Sequence, residues 1–259
     1  MNLRKPIEAL GQRAIDGIEG LGEVGILTAR SLGLSVVPPF RPRQFLLAME
    51  DVGVGSLFIV MLTGVFAGAV FSLQSVAAFR MFAAESLVGT TVALTLSREL
   101  GPVLTGLMVA GRSGSAMATT LGTMRVTEQV DAMEVMAVDP VHYLVTPRVV
   151  ATVLMMPLLN TLFVFVGMVG AFAVAVGMMK VDPGMFINNI KVIVNPMDLV
   201  KGCIKAAVFG LAIAGIGCHK GFYASGGARG VGEATTSAVV LSSVAILVLN
   251  YFLTTIMFT

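Results

Sequence analysis

Charge, tryptophan and cysteine are all scarce in this chain. Charged residues make up 12% of its 259 residues, tryptophan is absent, and the two cysteines are Cys203 and Cys218. Soluble domains carry about 25% charged residues, so this composition excludes an ordinary water-soluble protein. The net charge of +2 is too small to indicate a nucleic-acid-binding protein. The cysteines lack Cys-x-x-Cys spacing, which favours buried thiols over a disulfide or a metal site.

Motifs for nucleotide binding and for hydrolysis are absent or weak. No Gly-x-x-x-x-Gly-Lys-[Ser/Thr] occurs, and the glycine-rich stretch 226–232, which we predict to be a loop, has no lysine, so we expect no cofactor in this chain and assign any ATP and Mg to a separate ATPase. Gly111-Arg112-Ser113-Gly114 matches the Gly-x-Ser-Gly of rhomboid-like proteases, with His219 as a conceivable base. In a chain with 29 glycines such a match arises by chance, so we predict a protein that is not an enzyme.

Long uncharged runs dominate the rest of the chain. Hydrophobic residues reach 56% and the mean hydropathy is +0.90. Each run is long enough to cross a hydrocarbon core of ~30 Å as a helix. The runs are 52–79, 86–97 continued by 100–111, 149–179, a weaker one at 199–218, and 234–259. We therefore predict an all-α membrane protein with about five transmembrane helices, divided into an N-terminal segment, 1–51, and a transmembrane domain, 52–259.

The N-terminal segment has the pattern of an amphipathic helix. Within 4–27, apolar residues fall on one helical face and polar residues on the other. The apolar residues are Ile7, Leu10, Ala14, Ile18, Leu21 and Val24. Such a helix lies in the membrane interface or packs on a neighbour. Lys and Arg are more frequent in the segments that share a side of the membrane with the N-terminus than in those on the opposite side, which predicts a cytoplasmic N-terminus.

One pair of charges lies near the middle of the second span. Arg98-Glu99 is flanked on each side by uncharged segments, 86–97 and 100–111. A charge at a bilayer centre costs ~3 kcal/mol or more unless it faces a partner, a cavity or water, so the pair indicates a functional site. Two alternatives stay open: the helix breaks at Gly101-Pro102 and leaves the pair at the interface, or the pair is a dry structural link between helices.

The polar interval 112–148 contains a second candidate site. Apolar and polar residues lie on opposite faces of a short predicted helix that ends at Asp139-Pro140. The apolar residues are Val126, Val130, Met133 and Ala137, and the polar residues are Thr127, Asp131 and Glu134. We expect a cytoplasmic helix that a partner protein holds, with a surface helix that only caps the bundle as the alternative.

The same stretches carry a resemblance to a known family. Leu96-Ser97-Arg98-Glu99-Leu100-Gly101-Pro102, followed by Ala110-Gly111-Arg112-Ser113-Gly114-Ser115-Ala116, Met124-Arg125-Val126-Thr127-Glu128-Gln129 and Met133-Glu134-Val135-Met136-Ala137-Val138-Asp139-Pro140, strongly resembles the MlaE permease family. The likeness extends over nearly the whole chain, from Gly64-Val65-Phe66 to the stretch before the last span.

The resemblance implies a homodimeric core of an ABC-type phospholipid transporter in the bacterial inner membrane. Its expected partners are a cytoplasmic ATPase, a STAS-domain subunit, a periplasmic ring of MCE-domain proteins and phospholipid, in a system that maintains outer-membrane lipid asymmetry. Thr127–Asp139 would be the coupling helix, with contacts from Thr127, Glu128, Asp131, Glu134 and Asp139. The expected substrate-binding residues are Arg98, Glu99, Leu100, Gln74, Phe71, Phe79 and Phe82.

Other functions remain open at this point. The Arg98-Glu99 pair would also suit the gate or proton relay of a secondary transporter or channel, which needs no ATPase. A scaffold that only anchors partners would not need the pair. Related permeases handle sterols or fatty acids, and the direction of lipid flow is not encoded in these patterns.

Overall fold

The computed structural model describes the backbone of residues 4–39 and 41–258, and the side chains of residues 19–39 and 41–257. Within these ranges the chain forms helices and no strand, which confirms the all-α prediction. Counting consecutive helical turns as one helix, we name them α1 (Arg4–Leu34), α2 (Pro42–Arg80), α3 (Glu85–Val126), α4 (Gln129–Val135), α5 (Val141–Met178), α6 (Pro183–Ile193), α7 (Pro196–Phe222) and α8 (Gly227–Phe258).

Five of these helices are long and apolar enough to cross a membrane, as predicted. They are α2, α3, α5, α7 and α8, with lengths of 27 to 42 residues. Each begins before the uncharged run that predicted it, because polar residues at headgroup level continue the helix. The glycine-rich stretch 226–232 is not the predicted loop, since α8 already begins at Gly227. The orientation of the termini stays a prediction.

The N-terminal helix α1 lies against the bundle. Leu27 is buried, and Thr28 packs so closely on Gly215 of α7 that a Cβ there would lie 2.5 Å from the Thr28 hydroxyl. Leu21 and Ile26, by contrast, are largely exposed. The helical prediction for 4–27 is confirmed, but the predicted faces at Ile7, Leu10, Ala14 and Ile18 lie outside the described side chains.

Glycines let α2 and α5 approach to backbone contact. A Cβ on Gly68 would lie 1.9 Å from the carbonyl oxygen of Gly167, and one on Gly170 would lie 2.3 Å from that of Val65. Next to them the Ser72 hydroxyl donates to the Ala171 carbonyl at 3.0 Å. Small residues at such spacing bring membrane helices close enough for van der Waals and polar contacts to hold them. The pair α2–α5 is therefore one rigid wall of the bundle.

The central helix α3 does not break at Gly101-Pro102. A π-turn at Leu96–Leu100 precedes the proline, and the helix then continues to Val126. A π-turn inserts one extra residue and often marks a functional site in a helix. The alternative in which a broken helix leaves Arg98 and Glu99 at an interface is therefore wrong.

Candidate functional site

Arg98 is anchored by an aspartate at the start of α7. Its Nη2 lies 2.8 Å and its Nε 2.9 Å from Oδ1 of Asp198. Asp198 is itself fixed, because its Oδ2 accepts the backbone N–H of Asn195 at 3.2 Å in a capping box that begins α7. One carboxylate thus both caps α7 and holds the guanidinium of α3 in place.

Glu99 is anchored separately, by Lys205, which lies two helical turns after Asp198 on α7. The Nζ of Lys205 lies 3.1 Å from both carboxylate oxygens of Glu99 and also donates to the Arg98 carbonyl at 2.9 Å. From α8, Asn250 Nδ2 and the Thr254 hydroxyl donate to the same carboxylate at 3.0 Å. The side chain of Lys205 is fully buried, whereas that of Glu99 is 34% exposed.

The local sequence explains why a lysine can bond the backbone here. In an α-helix the Arg98 carbonyl would accept from the N–H four residues later, but that residue is Pro102, which has no N–H. Lys205 donates to this carbonyl from the neighbouring helix. The π-turn, the proline and the buried lysine therefore form one structural unit.

The four charges form a neutral cluster with one accessible side. Two cations, Arg98 and Lys205, face two anions, Glu99 and Asp198. The side chains of Arg98 and Glu99 are each about one third exposed, while their partners on α7 are buried. The cluster can thus present a positive and a negative group to a ligand while its inner half remains fixed.

Three of the other expected substrate-binding residues lie together beside this cluster. Phe71 and Gln74 of α2 and Leu100 of α3 line a shallow apolar groove of about 440 Å³. Phe79 packs partly buried against the core, and Phe82 lies beyond the end of α2 and is 78% exposed. Neither of these two lines the groove. The groove and the charge cluster are joined through Leu100, which directly follows Glu99 in the chain.

Four residues of the cluster were missed by the sequence analysis. Asp198, Lys205, Asn250 and Thr254 all contact Arg98 or Glu99. Lys205 lies near one end of its predicted span, from which a lysine can reach the membrane surface, but its Nζ is turned inward to Glu99. Asp198 and Lys205 are seven residues apart, hence on one face of α7, with charges opposite to Arg98 and Glu99. That complementarity was the available signal.

The predicted coupling helix is shorter than expected. Its α-helix runs only over Gln129–Val135, because Thr127 ends α3 and Glu128 adopts a left-handed backbone conformation with φ of 60°. Val130 is buried as predicted, while Val135 and Met136 protrude into solvent.

Ion pairs hold this coupling segment to the bundle. Asp131 pairs with Arg125 of α3, and Asp139 pairs with Arg30 of α1 at 3.0 Å. Glu134 and Glu128 are exposed. The segment therefore presents an acidic surface with an apolar tip, and α1 and α3 determine its position.

The residues of the weak protease-like match do not form a catalytic pair. The Ser113 hydroxyl lies 3.1 Å from that of Ser56, and His219 Nε2 lies 3.1 Å from the Glu23 carboxylate. Each group thus has a different partner. In the described part of the chain, no group of three or more His, Cys, Asp or Glu side chains could hold a metal ion.

Comparison with known proteins agrees with this architecture. The family model for permease MlaE matches residues 45–256. A probable ABC transporter permease protein of Rickettsia felis is 41% identical, with 96% of each chain covered. The intermembrane phospholipid transport system permease protein MlaE of Haemophilus influenzae is 39% identical, with 97% of each chain covered. Protein TRIGALACTOSYLDIACYLGLYCEROL 1, chloroplastic, of Arabidopsis thaliana is 40% identical over 83% of this chain and 62% of its own.

The matched region contains all five spanning helices almost completely, together with the charge cluster and the coupling segment. On this evidence the chain belongs to the MlaE permease family.

Proposed function

We propose that this chain is the inner-membrane permease of a transporter that moves phospholipid between the inner membrane and a periplasmic ring of MCE-domain proteins, and so maintains outer-membrane lipid asymmetry. The observation that carries the proposal is the position of the charge cluster beside an apolar groove within the membrane-spanning part of the bundle. A phospholipid has the same combination of a charged headgroup and apolar chains.

The cluster supplies headgroup recognition. The Arg98 guanidinium attracts the lipid phosphate, and its geometry is set in advance by Asp198. Glu99 accepts donors from an amine or hydroxyl headgroup and reduces the net charge of the site. The groove lined by Phe71, Gln74 and Leu100 receives an acyl chain. Because Arg98 and Glu99 are each already paired within the cluster, we expect the site to bind a lipid headgroup and also to release it.

Movement is driven through the coupling segment. A separate ATPase binds the exposed acidic and apolar surface around Glu134, Val135 and Met136. Closure of that ATPase shifts α3, which directly precedes the segment and carries Arg98 and Glu99. The assembly contains two copies of this chain, in which the exposed apolar face of α8 covers its counterpart, and a STAS-domain subunit associates with the ATPase.

The decisive experiment is reconstitution of the purified complex in proteoliposomes with a fluorescent phospholipid. We expect ATP-dependent lipid movement that is reduced at least tenfold, at unchanged protein level, by Arg98→Lys, which keeps a cation for the buried Asp198 but loses the guanidinium fork. Lipid movement unaffected by this substitution would overturn the assignment of the site.

A secondary transporter is the alternative that a specific observation favours, because Glu99 and Lys205 could exchange a proton within the span. It predicts transport driven by a pH gradient without any ATPase. This mechanism would be supported instead if lipid movement persisted without nucleotide in proteoliposomes across which a proton gradient is imposed.

A further inference from the structure

A second cavity, separate from the groove, lies at the end of the bundle that carries α4. We call it the α2–α3–α5 cleft; it has a volume of about 370 Å³ and is lined by Gln44, Leu47, Asp51, Met117, Met124 and Arg148, among others. These residues come from the first turns of α2, the last turns of α3 and the start of α5. Because three spans end around it, the cleft lies at headgroup level of one leaflet.

The cleft is far from the charge cluster. Arg98 and Met117 are separated by 19 positions of the same continuous helix, which corresponds to ~28 Å along the axis at 1.5 Å per residue. A single lipid headgroup cannot contact both places at once. The cleft is thus a distinct candidate site, and its occupancy does not depend on the transport function proposed above.

Arg148 gives the cleft a cation. It is partly buried, and its Nη1 donates to the Leu144 carbonyl at 2.6 Å. Among the described residues it forms no ion pair with a carboxylate, and the nearby Asp51 is already paired with Arg112 at 3.3 Å. A second cation lies outside the cleft, where Arg41 stacks 4.3 Å from the ring centroid of Tyr143, which is a lining residue. The surroundings are therefore positively charged and suit a phosphate.

The cleft also contains a buried acceptor. The Oε1 atom of Gln44 is shielded from solvent and has no hydrogen-bond partner among the described residues. A buried amide oxygen without a donor is unfavourable, and it becomes satisfied when a ligand supplies a hydroxyl. A phosphate next to a hydroxyl-bearing group satisfies both Arg148 and Gln44. The glycerol headgroup of an anionic phospholipid has this chemistry.

The surface next to the cleft suits an acyl chain. Leu47 lines the cleft and is exposed, and Val54 and Phe58 continue the same face of α2 toward the membrane centre, both of them exposed. Residues spaced by seven and eleven positions lie on one helical stripe. A lipid with its phosphate at Arg148 could lay one chain along this stripe, whereas free phosphate would not use it.

We propose that the α2–α3–α5 cleft binds one anionic phospholipid, with the phosphate on Arg148 and a glycerol hydroxyl on Gln44. The lipid joins α2, α3 and α5 beside the coupling segment, at the end of the bundle opposite to the side on which α6 lies. Its role there is distinct from that of transported lipid.

The test uses photo-crosslinking with a phosphatidylglycerol that carries a diazirine on its acyl chain, followed by peptide mapping of the purified full-length protein in mixed micelles. We expect labelling of the α2 segment containing Leu47, Val54 and Phe58, reduced about tenfold or more by Arg148→Gln. Arg229→Gln is the matched control, because Arg229 is an exposed arginine that pairs with Glu233 one turn away on α8. It should leave labelling unchanged.

A second variant protects the test against misfolding of the first. Gln44→Glu places an acidic residue in the first turn of α2, where the helix dipole favours it, yet puts a negative charge against the phosphate. It should reduce labelling as Arg148→Gln does. Equal labelling of wild type and both variants would overturn the proposal, as would equal labelling by a phosphatidylcholine probe. Inorganic phosphate can also be added to wild type as a competitor. If it abolished labelling at the cleft while the groove lined by Phe71, Gln74 and Leu100 remained labelled, the cleft would be a phosphate site and the lipid assignment would be overturned.

Discussion

Lys205 of α7 and Glu99 of α3 form an ion pair in which the lysine Nζ lies 3.1 Å from both carboxylate oxygens. The two partners differ in environment, since the lysine side chain is fully buried and the glutamate is one third exposed. A charge left alone is therefore far more unfavourable on the lysine than on the glutamate. The pair joins a residue that we propose to bind lipid to the core, so the functional and structural interpretations of the site are not exclusive.

The first prediction uses this asymmetry. Glu99→Gln removes the carboxylate that pairs with the buried lysine, and breaking a buried pair from one side costs about 3–5 kcal/mol. Lys205→Met leaves a glutamate that solvent, Asn250 and Thr254 can still satisfy. We expect a clearly larger loss of thermal stability for Glu99→Gln than for Lys205→Met. The chain has no tryptophan, so thermal unfolding in detergent is followed by circular dichroism.

The double variant Glu99→Gln/Lys205→Met is the control for that comparison. It removes both charges and should regain most of the stability lost in Glu99→Gln, while lipid transport remains impaired because the negative charge on the accessible side is gone. If the double variant were as unstable as the sum of the single variants, the two side chains would not be coupled.

The second prediction concerns the contact of α2 with α5. Gly68→Ala forces a methyl group against the Gly167 carbonyl, where the gap is 1.9 Å, so the helices must separate. We expect a destabilisation of about 1–3 kcal/mol, as for other overpacked sites, measured by chemical denaturation in micelles. Gly232→Ala on α8 is the control, since no atom lies within 4 Å of a Cβ there. Equal stability of the two variants would contradict the close packing.

Much of the fold could be predicted because membranes impose simple rules. Backbone groups must bond within a helix in the hydrocarbon core, so every long uncharged run became a helix, and all five spans were found. The limits were less predictable. Polar residues at headgroup level can continue a helix or end it, and the chain gave no signal that Glu128 would turn with a positive φ and shorten the coupling helix.

The site was only half predictable for a related reason. Arg98 and Glu99 are conspicuous because each interrupts an apolar run, and Phe71, Gln74 and Leu100 lie near them in space. Lys205 lies close enough to the end of its span that surface exposure was equally compatible with its position, and Asn250 and Thr254 are ordinary residues in a membrane helix. Which helix packs against which depends on side-chain packing, and the local patterns of a single sequence do not reveal it.

The third prediction concerns the coupling segment. Asp131→Lys/Glu134→Lys reverses the charge of its exposed surface at positions outside every spanning helix, so membrane insertion should be unaffected. We expect at least a tenfold weaker association with the ATPase, measured by co-purification from membranes. Asp131→Lys also places a lysine beside Arg125, so Glu134→Lys alone is the matched variant that disturbs no ion pair.

An opposite result would be equally informative. Undiminished ATPase co-purification with both Glu134→Lys and the double variant would show that this surface does not dock the ATPase. The segment would then be the cap of the bundle that the sequence also allowed, held by Arg30 and Arg125 for stability alone.

The last prediction separates the two roles of Asp198. Its Oδ2 caps α7 through the Asn195 N–H at 3.2 Å, and its Oδ1 holds Arg98 at 2.8 Å. Asp198→Asn keeps a side-chain oxygen for the cap but removes the charge that orients the guanidinium, whereas Asp198→Ala removes both. Loss of a cap alone costs about 1 kcal/mol. We therefore expect Asp198→Asn to accumulate near the wild-type level and Asp198→Ala to be less stable than Asp198→Asn by roughly that amount.

Both variants should bind lipid phosphate differently from wild type, because the Arg98 guanidinium then loses its two bonds to the Asp198 carboxylate. In Asp198→Asn it becomes a stronger site for an anion, so we expect more co-purified anionic lipid per chain together with slower ATP-dependent release, measured by lipid mass spectrometry and by transport in proteoliposomes. Release slows because the phosphate replaces the lost carboxylate as the counter-charge of Arg98. Unchanged lipid content and unchanged transport in Asp198→Asn would show that Arg98 serves only to fasten α3 to α7.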